Sequence, residues 1–228
     1  MIEGLFPLSP MPSRSNRHPS AALPPFDEES GDLNAVVETI KGSRNKFAYD
    51  EELGLFRLKG VLPAGASFPY DFGFVPSTKG DDGDPLDVLV LMDEPAFAGC
   101  LVPARLVGVI TAERTERDGT VERNDRLIAV ASNSHTHEGV RQLHDLSSNL
   151  LDEIEHFFIS YNVVKGKTFT PTGRSGPDVA RRLVDDATTR IVTPRAKKTA
   201  KKSAEGSAKH ASKRGTKSPK KPTASRRR

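Results

Sequence analysis

Residues 81–91 read DDGDPLDVLVL: four aspartates within seven positions, the last of them opening a strand-like apolar run. Gly83 permits backbone angles that side chains forbid, and Pro85 stiffens the exit. Asp82, Asp84 and Asp87 are thereby gathered on a rigid base. Like charges that close repel and raise one another's pKa unless cations intervene. Hard divalent ions such as Mg²⁺ are the natural counterpart, because they prefer oxygen ligands and retain several waters. The stretch is no EF-hand loop, since Pro85 and Leu86 break that ligand pattern. Acidic turns are common on surfaces, and taken alone this one reads as a solvated loop.

Outward from this turn, short apolar segments alternate with Gly, Pro, Asp or Asn turns. Ala35–Ile40, Lys46–Asp50, Leu55–Leu58, Phe72–Val75, Asp87–Leu91, Leu101–Ile110 and Leu127–Ala131 read as strands, and the EELG at 51–54 as a hairpin connection. Two helices follow. Leu143, Leu146, Leu150, Leu151, Ile154, Phe157, Phe158 and Tyr161 recur at steps of three and four, with Asp152, Glu153 and Glu155 on the other side. The second helix, roughly Asp178 to Ile191, puts Val179, Leu183, Val184, Ala187 and Ile191 on one face, between Pro177 and Pro194. Many short strands ahead of any strong helix predict a mainly β (α+β) fold, a small barrel or sandwich rather than a parallel α/β sheet.

The net charge of +4 hides an asymmetry: residues 195–228 carry 14 Lys or Arg against one acid, Glu205, so the rest of the chain is acidic. Residues 1–32 are rich in Pro, Ser and small polar residues, and residues 193–228 lack large apolar ones. Both are expected to be disordered extensions of a domain spanning 33–192, because nothing in them offsets the entropy of ordering. The basic tail has no aromatic residue for base stacking, so its expected partner is a polyanion or nucleic acid held without sequence preference. A solubilising role explains it equally well. The single cysteine, Cys100, makes no internal disulfide or Cys-based zinc cluster and fits a reducing compartment. The proline-broken N-terminus does not read as a secretory signal, and no apolar run approaches the length of a membrane span. A cytoplasmic location, without membrane contact, is expected.

The run Asp82-Gly83-Asp84-Pro85-Leu86-Asp87-Val88-Leu89-Val90 resembles the D-G-D-P-x-D-V-L-V motif of the soluble family I inorganic pyrophosphatases. Val36-Val37-Glu38, Lys46, the segment from Phe68 to Gly73, Arg105 to Val109, His156 to Tyr161 and Lys165-Gly166-Lys167 fall in that family's order. The resemblance implies a five-stranded OB-like β-barrel with two flanking C-terminal helices, which agrees with the strand-then-helix reading. It also implies hydrolysis of pyrophosphate to two phosphates by water activated by Mg²⁺, with no covalent intermediate, and a homo-oligomer. By motif position, Asp82 and Asp87 bind metal, Glu38 supports the outer cluster, and Asp84 takes the proton of the attacking water. Lys46, Lys59, Arg126 and Tyr161 fall at substrate-binding positions. Bland readings stand beside these: a solvated face for the lysines, core packing for Tyr161.

Several positions depart from the family. Ala48 stands where a Glu is usual, Phe68 and Phe72 where tyrosines are, and Asn162 where a Lys is. Each aromatic change removes a hydroxyl and keeps the ring. Asn124 replaces a metal-binding Asp, with Asp125 adjacent as a substitute ligand. A further metal-binding Asp belongs to the stretch 112–123, where Glu113, Glu116 and Asp118 are candidates. The alternative to an active enzyme is a catalytically weakened barrel that binds phosphate-rich ligands or nucleic acid.

Overall fold

The computed structural model describes residues 23–192. Nine strands run β1 (Leu33–Thr39), β2 (Asn45–Asp50), β3 (Leu55–Val61), β4 (Asp71–Phe74), β5 (Asp87–Leu91), β6 (Leu101–Thr115), β7 (Val121–Arg123), β8 (Arg126–Ala131) and β9 (Thr168–Ser175). Helix α1 (Ser148–Val164) lies between β8 and β9, and α2 (Pro177–Val192) follows β9.

The strands β1, β4, β5, β8 and β6 are paired in that order, and β6 returns to pair β1, so five strands close a ring. This is the OB-like architecture expected. Closure depends on β6. Its first residues, Leu101–Ala104, pair β1, its middle pairs β8, and its end pairs β7 and β9. One strand serves so many neighbours because the β8 register shifts between Leu106 and Gly108, a bulge that bends the chain. Only glycine fits at 108, where a Cβ would lie 2.4 Å from the Ser175 carbonyl oxygen and 2.5 Å from Leu143 Cγ.

Strands β5 and β8 are parallel neighbours and central, which accounts for the uninterrupted VLVL. Leu89, Leu91, Ile128 and Val130 pack in one core cluster with Leu151, Ile154 and Phe158 of α1. Val88, Val90, Leu127 and Ala129 pack in another with Ala180 and Val184 of α2. A strand covered on both faces reads as an apolar run rather than an alternation.

The first helix is shorter than its periodicity suggested. Leu143–Asp145 forms a separate 3₁₀ turn and Leu146 is extended, so α1 starts at Ser148. The Asp145 carboxylate accepts the Arg141 and Gln142 N–H groups and holds this break. Both leucines are nevertheless buried, so their spacing reported core contact, not helix. Strands β7 and β9 were not expected. The last turn of α1 closes in a Schellman motif: Gly166 at φ 70° and its N–H on the Val163 carbonyl, with the Lys167 N–H on Asn162. This sets Lys165 and Lys167 on either side of the turn.

The segment 23–32, expected to be loose, is attached. Phe26 bridges Leu33, Asn34 donates from Nδ2 to the Pro24 carbonyl, and the Arg181 guanidinium of α2 lies 3.5 Å from the Phe26 ring centre. Residues 1–22 and 193–228, including the basic tail, lie outside the described residues. Among the described residues no helix is long and apolar enough to cross a membrane.

Candidate active site

The acidic loop between β4 and β5 is pinned at its neck. Thr78 Oγ1 donates to the Val75 carbonyl and accepts the Leu86 N–H, and Val75 N–H meets the Leu86 carbonyl. Inside, Gly80 N–H donates to the Asp84 carbonyl, and Gly83 takes φ 92°. Asp81 turns to α2, where Arg190 Nη1 stands 2.8 Å from it. The other three aspartates stay together. Asp84 and Asp87 line a cavity of about 430 Å³ with Glu38, Lys46, Ala48, Tyr49, Glu51 and Lys59. Asp82 and Asp87 line a smaller adjoining one, about 70 Å³, with Asn124, Asp125 and Arg126.

The three carboxylates differ in their partners. Asp87 meets Arg126 Nη1 at 2.7 Å, and Asp82 accepts Asn124 Nδ2 at 3.2 Å and lies 3.6 Å from Arg114 Nη2. Asp84 has no donor or ion-pair partner on its carboxylate among the described residues. Burial, and then the negative charges of Asp82 and Asp87, push its pKa up. Glu38, 8% exposed, is held by Lys46 Nζ at 3.1 Å and by the Tyr49 N–H at 2.7 Å; burial pushes its pKa up. Lys46 itself rides over the Phe72 ring at 4.1 Å. The ring that lost a hydroxyl therefore still supports the cation.

Other residues singled out in the sequence are engaged in structure. Arg126 is 5% exposed, sandwiched near Phe158 and Phe169, and donates to the Asn124 and Asp125 carbonyls as well as to Asn124 Oδ1. Asn124 thus has its side-chain oxygen on Arg126 and its nitrogen on Asp82. Asp125 accepts the Ala112 N–H on one oxygen and Arg123 Nε on the other. Of the candidates in 112–123, Glu116 holds Arg114 and Lys167, Asp118 caps Thr120, and Glu113 is exposed on β6.

Two cations were given no role in the sequence reading, although Lys165 lies in the Lys165-Gly166-Lys167 run. Lys165 reaches back one helical turn to the Tyr161 hydroxyl and lies 4.0 Å from the centre of its ring. Burial, then the charges of Lys46, Lys167, Arg114 and Arg126, bring its pKa down to about 8. The same burial pushes Tyr161 up to about 12. Lys165, Lys46, Lys59 and Tyr161 line a further cavity of about 200 Å³. The signal for Lys165 was its i+4 spacing from Tyr161. Arg114, in the alternating ERTER, carried none.

Among the described residues no three acidic, His or Cys side chains converge to enclose a metal ion. The donor set nevertheless fits a hydrated hard cation: it is all oxygen, borders an open cavity, and includes one unpaired carboxylate between two others. An ion that keeps most of its water needs only one or two carboxylates plus substrate oxygens.

A ring of strands presenting a carboxylate trio to lysines and arginines defines a barrel built to handle phosphate with a divalent cation. The comparisons with known proteins narrow this. A family model described as inorganic pyrophosphatase matches residues 35–192. An inorganic pyrophosphatase of Nostoc sp. is 37% identical over 163 residues, 72% of this chain and 94% of that one. One of Streptomyces coelicolor is 41% identical over 130 residues, 57% of this chain and 77% of that one. The crystal structure of the Thermus thermophilus inorganic pyrophosphatase superposes with a TM-score of 0.68 at 33% identity, covering 75% of this chain and 97% of that one. The Helicobacter pylori enzyme gives 0.67 at 34%, covering 73% and 97%. The chain belongs to the inorganic pyrophosphatase family, and with membership goes a divalent metal cofactor.

Proposed function

We propose that this chain hydrolyses inorganic pyrophosphate to two phosphates by direct attack of water, with Mg²⁺ as its cation. The observation that carries the reading is Asp84: an unpaired carboxylate bordering a cavity lined by Lys46 and Lys59, flanked by two aspartates held by arginines. Asp82 and Asp87 hold the cation. Bound there, Mg²⁺ supplies Lewis acidity and neutralises charge on the phosphoryl oxygens. Asp84 takes the proton of the attacking water, a role suited to a base without a competing partner. Lys46, Lys59, Tyr161 and Lys165 bind the phosphates, and Arg126 orients Asp87 from behind. Phosphate release from pyrophosphate and Mg²⁺ by the purified chain tests the reading. No release would leave the weakened, phosphate-binding barrel in its place.

Lys165 restores the cation that Asn162 removes. It is charged below about 8 and neutral above. The anionic substrate therefore loses a partner as pH rises through that value, and KM climbs. The groups around it, Lys46, Lys167, Arg114 and Arg126, are all cationic and favour its neutral form. Lys165→Arg keeps the charge, so its KM stays flat over the same range. A KM that climbs equally in the two proteins would remove Lys165 from the substrate site.

Asn124→Asp places a fourth carboxylate beside Asp82 while keeping an acceptor for Arg126. The Mg²⁺ concentration for half-maximal rate is expected to fall several-fold, since each added ligand charge tightens cation binding. An unchanged requirement means that position 124 lies out of the cation's reach.

Three further assignments are proposals. The basic segment 193–228 is a sequence-independent contact for polyanions. Retention of the full chain on DNA that does not weaken between about 50 and 200 mM salt would refute it. The chain is also assigned as a homo-oligomer, which a sedimentation mass of one chain would rule out. Cytoplasmic action follows from the reducing-compartment reading of Cys100, and export of the chain would contradict it.

A further inference from the structure

The hairpin β6–β7 aims one guanidinium at the acidic loop. Arg114 on β6 pairs with Glu122 on β7, and its Nη2 lies 3.1 Å from that carboxylate. Its Nε lies 2.7 Å from Glu116, which Lys167 holds at 2.7 Å from the other side. The frame balances: two acids against two cations. Arg114 thus has counter-charges of its own and does not need Asp82 for them, yet its Nη2 stands 3.6 Å from Asp82. Asn124 donates to the same Asp82 oxygen. From the stretch where the family resemblance led us to expect a further acidic ligand, the chain delivers a positive charge to Asp82 instead.

The charge on the loop changes accordingly. Arg114 stands beside Asp82 and Arg126 pairs with Asp87, so of the three only Asp84 has no ion-pair partner among the described residues. We infer that Arg114 is a built-in replacement for a second divalent ion: it offsets the charge of Asp82, so that Asp82 and Asp87 share one cation and the chain binds fewer divalent ions than its acidic residues would otherwise hold. This rests on the metal-dependent reading above and deepens it. A second divalent ion at Asp82 has to approach against a guanidinium already fixed by Glu116 and Glu122.

The test is Mn²⁺ binding to the full chain without substrate, by equilibrium dialysis and calorimetry. Wild type is expected to hold at most one Mn²⁺ tightly. Arg114→Gln is expected to gain a second site, or to bind about tenfold more tightly, as removal of a nearby positive charge requires. Arg114→Lys, which keeps the charge, is expected to resemble wild type, and adding Asp82→Asn to Arg114→Gln is expected to abolish the gain. Equal stoichiometry and affinity in wild type and Arg114→Gln overturns the inference while leaving the metal-dependent function intact. Two or more tight sites in wild type overturn it even if Arg114→Gln fails to fold. If no form takes up Mn²⁺, with or without pyrophosphate, the functional reading falls and the inference with it.

Discussion

Asp84→Asn is expected to lower the rate of pyrophosphate hydrolysis by about 10²–10⁴-fold, the usual worth of a positioned general base. The substitution keeps the shape of the side chain and removes only its basicity. Nothing in the fold depends on the lost charge, because among the described residues no donor or cation is paired with the Asp84 carboxylate. Its charge is in fact opposed by Asp82 and Asp87. The variant should therefore melt at the wild-type temperature or slightly above it. Phosphate release and thermal unfolding measured side by side separate the two effects. A variant that folds normally and hydrolyses at the wild-type rate ends the assignment of Asp84 as base. Asp87→Asn makes a contrast: it also uncouples Arg126, which is buried, so a loss there mixes chemistry with structure.

Gly73→Ala should be the most damaging single-methyl change in the barrel. A Cβ at 73 would lie 1.9 Å from the Val36 carbonyl oxygen and 2.9 Å from Val37 Cα. These are backbone atoms of β1, which no rotamer change moves aside. Strand β4 pairs β1 here, with Gly73 opposite Val37, and the register shifts just beyond. The strands must separate or slip, opening the ring on one side and displacing the neighbouring Glu38. We expect a loss of at least about 3 kcal/mol, at the upper end for overpacking, from a fold whose total stability is of order 5–15 kcal/mol. In urea the midpoint should fall by more than about 1 M, given usual slopes of 1–3 kcal/mol/M. A smaller shift than half of that would mean β1 yields locally.

Legibility in the sequence followed burial. Strands β5 and β8, covered on both faces, carry uninterrupted apolar runs and were bounded to within a residue. Strand β9, TFTPTGRS, carries a proline, a glycine and only one fully buried side chain, Phe169, so no period marks it. Its existence depends on β6, fifteen residues long, offering a free edge. The opposite error came at Leu143 and Leu146, where helical spacing recorded two core contacts on either side of a kink. The site divides the same way. Asp82, Asp84 and Asp87 stand within six residues of one another and keep a local spacing that can be recognised. Asn124 and Asp125 were read as ligands from position alone, and only the fold shows that their oxygens also meet Arg126, Arg123 and the β6 backbone.

By itself the sequence determined a β-rich domain before two helices, a stiff loop of three carboxylates at the mouth of a buried strand, and kinship with one family. Those follow from local rules: alternation, turn chemistry and a short motif act over a few residues. Only the tertiary structure decided how that negative charge is compensated. Arg114 is 32 residues from Asp82 in the chain, Arg126 is 39 from Asp87, and Lys165 approaches Tyr161 across a helical turn. Coulomb energy depends on separation in space and on burial, neither of which linear order records, so the guanidinium beside Asp82 is brought there by the closing of the ring.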